Sequence, residues 1–179
     1  MHSGSIIGGL LALQSEYLDV AIVNPRFHDF DDADQKMCTA KGYGAANARA
    51  KFFVISVINL GHHGGAFFVE TETKICYLFD PMQLTSNLSA LKEAVLTVVE
   101  KMLDMTDQLD YHVIAHYQQR DGTSCGIWCL VVLELLLFGA TPETWSDYWK
   151  DSLYEVVGYL RLRYLRKVIS LQLQQPQQV

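Results

Sequence analysis

An α+β fold is what this sequence predicts, and three observations predict it. Two short β-rich runs, Ala66 to Val69 and Ile75 to Phe79, bracket the polar stretch Glu70 to Lys74, which is the pattern of a β-hairpin. Elsewhere apolar residues recur at helical spacing, as in Leu88, Leu91, Val95, Val98 and Met102. Finally, Gly126 to Phe138 is apolar almost all round, as expected of a central helix covered on every side, with Glu134 its one unexplained charge.

In chain order, Ser5 to Glu16 reads as a short helix burying Ile6, Ile7, Leu10, Leu11 and Leu13, and Val20 to Val23 as a short strand. Phe27 to Ala50 reads as mostly irregular, and its acidic cluster Asp29, Asp31, Asp32 and Asp34 as a solvated loop. Phe52 to Leu60 is a long strand leading into the hairpin. Ser86 or Asn87 caps the helix that follows it, and Tyr111 to Ala115 is another strand. After the apolar helix, Thr141-Pro142-Glu143 restarts a helix by the N-cap and N1-proline rules. Leu153, Val157, Leu160, Tyr164, Val168 and Leu171 continue it at helical spacing, and 172–179 is a glutamine-rich flexible tail.

Chemistry concentrates at Cys125. The segment Gln119-Arg120-Asp121-Gly122-Thr123-Ser124-Cys125-Gly126 is a polar, glycine-bearing loop that feeds a thiol into the first turn of the apolar helix. Unsatisfied N–H groups and the positive dipole end of a helix favour thiolate over thiol. Taken alone, the loop fits equally a small buried apolar residue, as free cysteines usually are. Upstream, Leu60-Gly61-His62-His63-Gly64-Gly65 opens the hairpin and Asp80-Pro81 ends it. Antiparallel pairing about position 71.5, within the polar turn, sets His63 opposite Asp80. A carboxylate on one ring nitrogen fixes the tautomer and supports the imidazolium, leaving the other nitrogen to take a proton from a thiol. Cys125, His63 and Asp80 are then the residue types of a cysteine hydrolase.

The order His63, Asp80 seventeen positions on, then Gln119 six positions before Cys125-Gly126, resembles the Ulp-type proteases of ubiquitin-like modifiers. The likeness spans Val57 to Leu137 and includes Asp121-Gly122. It implies a papain-like fold of the Ulp type, a central mixed β-sheet flanked by helices with the nucleophile at the N-terminus of a buried helix. By the same resemblance Cys125 is nucleophile, His63 base, Asp80 orienter and Gln119 oxyanion donor, while Gly64, Gly122 and Gly126 meet the substrate. Gln118 replaces Gln119 should the loop shift by one residue. Three departures stand out. Gly64 occupies the place of an aromatic, usually Trp, that lines the family's channel for a Gly-Gly tail, and Pro81 stands where Ser is common; the N-terminal Trp-Leu-x-Asp-type opening has no counterpart.

The 179 residues, half of them hydrophobic, suit one domain over 1–179 with no shift of composition. A net charge of −6 argues against a nucleic-acid partner. Cysteines 38, 76, 125 and 129 form no CxxC or disulfide framework, which points to a reducing, intracellular compartment, cytoplasm or nucleus. No apolar stretch approaches the ~20 residues of a membrane span, and Ile6 to Leu13 lacks the basic leader of a secretory signal. His62, His63, Cys76 and His116 do not have metal-site spacing, so neither metal nor cofactor is expected. His28, His112 and His116 read as surface or satisfied core histidines, and Cys129 as packing beneath Cys125.

The expectation is a monomeric thiol protease or isopeptidase that cleaves after the C-terminal glycine of a ubiquitin-like modifier, SUMO-like first. Two other classes use the same residues. One is a binding module that keeps the fold without cleaving, and the other an acyltransferase that passes the acyl group to a different acceptor.

Overall fold

Valine, isoleucine and phenylalanine dominate the strand segments, and branched or aromatic side chains suit a pleated surface covered on both faces. The computed structural model describes residues 3–43, 51–61, 63–115, 117–141 and 143–174. Among them, β1 (Val20–Ile22), β2 (Phe53–Asn59), β3 (Gly64–Glu70), β4 (Ile75–Phe79) and β5 (Asp110–Val113) form one sheet in that order. β2, β3 and β4 are antiparallel neighbours, and β1 and β5 join in parallel at the two edges. The sheet is therefore mixed, as expected.

Alternation along each strand divides the core in two. Ile55, Phe68 and Phe79 face α1 (Ser3–Glu16), α5 (Cys125–Leu137) and α8 (Val157–Gln174). Val54, Phe67 and Leu78 face α2 (Ala33–Ala40) and α3 (Thr85–Ala94), which continues through a π turn at Val95–Val99 into α4 (Glu100–Leu103). α5 is the central helix of the first layer, and every residue from Gly126 to Leu133 is buried. Its N-terminus is thereby fixed against the sheet.

Glu134 now has its explanation. Arg163 of α8 meets it with two hydrogen bonds of 2.5 and 2.6 Å, the Tyr164 hydroxyl donates at 2.6 Å, and Lys167 reaches it at 3.1 Å while also pairing with Glu16. Burial raises its pKa, but the hydrogen bonds from Arg163, Tyr164 and Lys167 outweigh burial and bring it down to about 2. This ion cluster ties α5 to α8.

Several expected boundaries move. The segment read as irregular contains α2, whose N-cap Asp32 accepts from the Gln35 N–H at 2.8 Å, with Asp34 in the first turn. Two of the four acidic residues thus serve a helix start, where the dipole favours them. Residues 44–50 of the same segment lie outside the described ones. α3 begins at Thr85 with Leu84 as N-cap, so neither Ser86 nor Asn87 caps it. The helix expected at Thr141 starts instead at α6 (Trp145–Tyr148), because Thr144 is used in a turn that closes back on Thr141; Pro142 is outside the described residues. α7 (Ser152–Glu155) follows, and α8 runs to Gln174, so the tail read from 172 begins inside a helix and 175–179 are not described. No helix among the described residues is long and apolar enough to cross a membrane.

Candidate active site

Three chain segments converge at one end of the sheet: the β2–β3 loop carrying His63, the end of β4 carrying Asp80, and the start of α5 carrying Cys125. The observed hairpin pairs Ala66 with Phe79 and Glu70 with Ile75, which sets Asp80 beside Gly65 rather than His63. The expected register is off by two residues because Glu70 belongs to the strand and the turn is Thr71 to Lys74, with Lys74 at φ 59°. A slip of two keeps a side chain on the same face of a sheet, whereas a slip of one would reverse it. His63 and Asp80 therefore still meet as diagonal neighbours, His63 Nε2 lying 2.5 Å from Asp80 Oδ1. His62 and His116 are outside the described residues.

Asp80 is fully buried. Besides His63, its carboxylate accepts from the backbone N–H of Met82 (3.0 Å) and Leu84 (2.8 Å) and from Asn87 Nδ2 (3.0 Å). Its own carbonyl accepts from Gln83 Nε2 at 2.7 Å, and Gln83 takes φ 56° to close the turn. Burial pushes the carboxyl pKa up, but the His63 hydrogen bond and the two N–H donors prevail and hold it below its usual value. Asn87 is a site residue that the sequence reading placed at a helix cap. The available signal was Asp80-Pro81 itself, since Asp at a turn accepts from backbone N–H groups a few residues on.

The Cys125 thiol lies beside His63 at the same cleft, and the His63 side chain is the largest influence on its pKa, lowering it. With Nε2 committed to Asp80, Nδ1 is the ring nitrogen left to exchange a proton with the sulfur. Burial opposes the thiolate, but the backbone N–H groups of Gly64 and Gly126 add to the His63 effect and the net shift is downward. Burial likewise opposes charge on His63, and hydrogen bonds to Asp80 and Cys125 overcome it, raising its pKa to about 9. The lowered thiol and the raised imidazole both shift toward a thiolate–imidazolium pair. The contrast lies one turn along α5. Cys129 is fully buried, its Sγ donates to the Gly64 carbonyl at 3.4 Å, and burial pushes its pKa well up. Cys76 is buried with its pKa raised by the same cause, and Cys38 is exposed without being part of the site.

The loop before Cys125 is organised by Asp121. Its Oδ1 accepts from the N–H groups of Thr123 (2.8 Å) and Ser124 (2.7 Å), and its Oδ2 accepts from Ser124 Oγ (2.6 Å). Arg161 of α8 reaches the same loop and donates to Ser124 Oγ at 2.7 Å and Thr123 Oγ1 at 3.0 Å. Arg120 pairs with Asp151 and stacks over the Tyr154 ring, whose hydroxyl donates to the Gln118 carbonyl at 2.7 Å. No local pattern announces these contacts from the C-terminal helices.

Gln119 Nε2 donates to the Asp121 carbonyl at 2.7 Å and touches Met82 Sδ at 3.4 Å, while its buried Oε1 has no partner among the described residues. The amide is thus turned toward its own loop. Gln118 donates to the Met82 carbonyl. Gly64 and Gly126 line a cleft of about 320 Å³ beside His63 and Cys125, together with Ile6, Pro25, Val57 and Asn59 among others. Gly122 lies at the exposed tip of the loop and does not line that cleft. No His, Cys, Asp and Glu cluster suited to a metal occurs among the described residues.

No family model and no curated protein matches the sequence. Solved structures do. The SUMO protease Ulp1 with its catalytic cysteine oxidised to a sulfonic acid is similar at TM-score 0.76 and 13% identity, covering 97% of this chain and 79% of that one. The C-terminal Ulp1 protease domain in complex with Smt3, the yeast ortholog of SUMO, gives TM-score 0.73 and 13% identity over 96% and 76%. ChlaDub1 from Chlamydia trachomatis gives 0.63 and 14% over 96% and 92%. A backbone shared at so little identity is a likeness of fold, and the chain has the Ulp-type protease fold in a highly divergent sequence.

Proposed function

We propose that the protein is a thiol protease or isopeptidase acting at the C-terminal glycine of a ubiquitin-like modifier, SUMO-like first. The observation that supports this reading is the buried Asp80 carboxylate bound to His63, which lines one open cleft with a Cys125 thiol whose pKa it lowers. In the proposed reaction the thiolate attacks the carbonyl carbon of the scissile amide, forming a C–S bond and an oxyanion. As the C–N bond breaks, the His63 imidazolium gives its proton to the departing nitrogen, leaving a thioester. His63 then takes a proton from water as the water attacks the thioester carbonyl. The C–S bond breaks, and thiolate and imidazolium are restored.

The oxyanion is assigned to the Cys125 backbone N–H and the Gln119 amide, the latter after it leaves the Asp121 carbonyl. The fold neighbours support a modifier as partner, since one of them is a protease bound to Smt3. Intact Cys125, His63 and Asp80 geometry weighs against a pure binding module. An acyltransferase shares the thioester and differs only in the acceptor.

The test is labelling by ubiquitin-like modifiers that carry a C-terminal electrophile, read as a covalent adduct. We expect an adduct on wild-type protein and none on Cys125→Ala of unchanged circular dichroism, with Cys38→Ala, Cys76→Ala and Cys129→Ala still labelled. Adduct formation in the Cys125 variant, or none in folded, reduced wild type, overturns the proposal. Adducts without hydrolytic turnover favour acyl transfer.

A further inference from the structure

Resting on that reading of the site, we infer that the missing side chain at Gly64 shapes specificity: the cleft accepts modifier tails that carry an apolar side chain at the penultimate position, beyond Gly-Gly tails.

The glycines of this chain separate by what a side chain would meet. At Gly9 an added Cβ would come within 2.5 Å of Leu130 Cδ1, and at Gly65 within 2.7 Å of Leu60 Cδ1, so both positions are small because packing leaves no room. At Gly64 the same atom would lie 3.5 Å from Val57 Cγ1, 3.9 Å from Cys125 Sγ and 3.9 Å from the Gly126 nitrogen, all ordinary contacts. Its φ is not in the left-handed region either. Neither packing nor backbone conformation therefore demands glycine here.

The backbone at this position is nonetheless pinned. Gly64 pairs with Asn59, its backbone lies beside the Cys125 sulfur, and its carbonyl accepts from Cys129. A side chain at position 64 would thus be held next to the nucleophile and would enter the cleft. With glycine the cleft stays open, at about 320 Å³, which lies at the lower end of volumes that admit a small ligand. Ile6, Pro25 and Val57 give its wall an apolar stretch beside the polar Asn59, and the Arg26–Asp29 pair sits at the exposed rim. The terminal residue of a tail must reach the sulfur, and the residue before it lies one Cα step, about 3.8 Å, away. An alanine or valine side chain there is offered apolar wall where an aromatic at position 64 would stand.

The experiment compares second-order labelling rates of Cys125 by SUMO-type probes with a C-terminal electrophile and Gly, Ala or Val at the penultimate position. Wild type is expected to label the Ala and Val probes within about threefold of the Gly probe. Gly64→Trp is expected to depress Ala and Val labelling by more than about tenfold relative to Gly, in the range by which a pocket rejects a misfitting methylene. Gly64→Ala, whose Cβ meets only ordinary contacts, guards against a misfolded Trp variant and should fall between the two. A wild-type preference for Gly over Ala of tenfold or more overturns the inference while leaving the protease reading in place. Unchanged selectivity in folded Gly64→Trp and Gly64→Ala overturns it as well. Failure of all probes, Gly included, sinks the activity and the inference with it.

Discussion

Asp80 and Glu134 are both carboxylates withdrawn into the first core layer, and the two are held in opposite ways. Glu134 is met by the Arg163 guanidinium, Lys167 and the Tyr164 hydroxyl, and the pKa values of Arg163 and Tyr164 are both pushed up. Asp80 is met by two backbone N–H groups, the Asn87 amide and one titratable ring, His63. In the first case the negative charge is consumed by permanent cations and works as a tie between α5 and α8. In the second it is kept by neutral donors, so it remains available to a base whose charge comes and goes. Two inward-facing anions thus differ in purpose, and their partners show which is which.

The comparison breaks first at the imidazole. His63→Ala should cost the most activity, on the order of 10⁶-fold in kcat, the scale seen when a base that acts as a unit with its nucleophile is removed. Asp80→Asn should cost about 10⁴-fold, since the ring keeps its place but loses its charge partner. The pH profile carries the sharper information. With His63 raised to about 9 and Cys125 lowered, the ion pair exists between those two limits, and activity should fall on the alkaline side near pH 9 as the imidazolium is lost. In Asp80→Asn the alkaline limb should retreat toward the ordinary imidazole value of 6.5 and the acid limb should rise, narrowing the window. A profile of unchanged width in Asp80→Asn would show that Asp80 does not support the imidazolium.

At Glu134 the same logic predicts a change of stability with no change of chemistry. Glu134→Leu leaves Arg163 and Lys167 without their anion, and removing one partner of a buried pair costs about 3–5 kcal/mol, toward the lower figure here because Arg163 is partly exposed. The wild-type contribution has a definite direction with pH. A carboxyl lowered from 4.5 to about 2 adds stability above pH 4.5 and loses it as pH falls toward 2. Urea denaturation at pH 7 and at pH 3 should therefore separate wild type from variant more widely at pH 7, with kcat/KM unaltered in the folded variant. Equal stability at pH 7 would reduce the cluster to a surface ornament.

Legibility followed sequence distance. Cys125 and its loop, and the hairpin that joins His63 to Asp80, are encoded within about twenty residues each, where periodicity and turn chemistry operate. Even the misplaced register was harmless, because a two-residue slip preserves the face. The α5 helix was legible because burial on all sides leaves an unbroken apolar run. The partners of Glu134 lie 29 to 33 residues away, and those of Ser124 at Arg161 lie 37 away, so no local pattern links them. The α2 helix was hidden for a different reason: with only Ala40 buried, it has no apolar face strong enough to show. Gln119 stands in the loop before Cys125, but which way its amide turns depends on the Asp121 carbonyl, a backbone atom that no residue pattern reports.

The smallest effect tests whether the two regions communicate. Arg161 and Arg163 leave α8 two residues apart, one for the nucleophile loop and one for the ion cluster, so the helix that Glu134 anchors also holds the residue that steadies Ser124. Ser124 is fully buried and precedes Cys125 directly, and its hydroxyl is shared between Asp121 and Arg161. Arg161 is largely exposed at its own position, so its hydrogen bonds are worth less than a buried charge-assisted pair, about 1 kcal/mol in all. Arg161→Met should accordingly lower kcat about fivefold with KM nearly unchanged. It should also shift the pH dependence of Cys125 alkylation by iodoacetamide upward, a readout that a purely structural role would not move, and Arg161→Lys should restore part of it. If alkylation and kcat stay at wild-type values in Arg161→Met, the loop is held by Asp121 alone and the cluster at Glu134 has no line to the thiol.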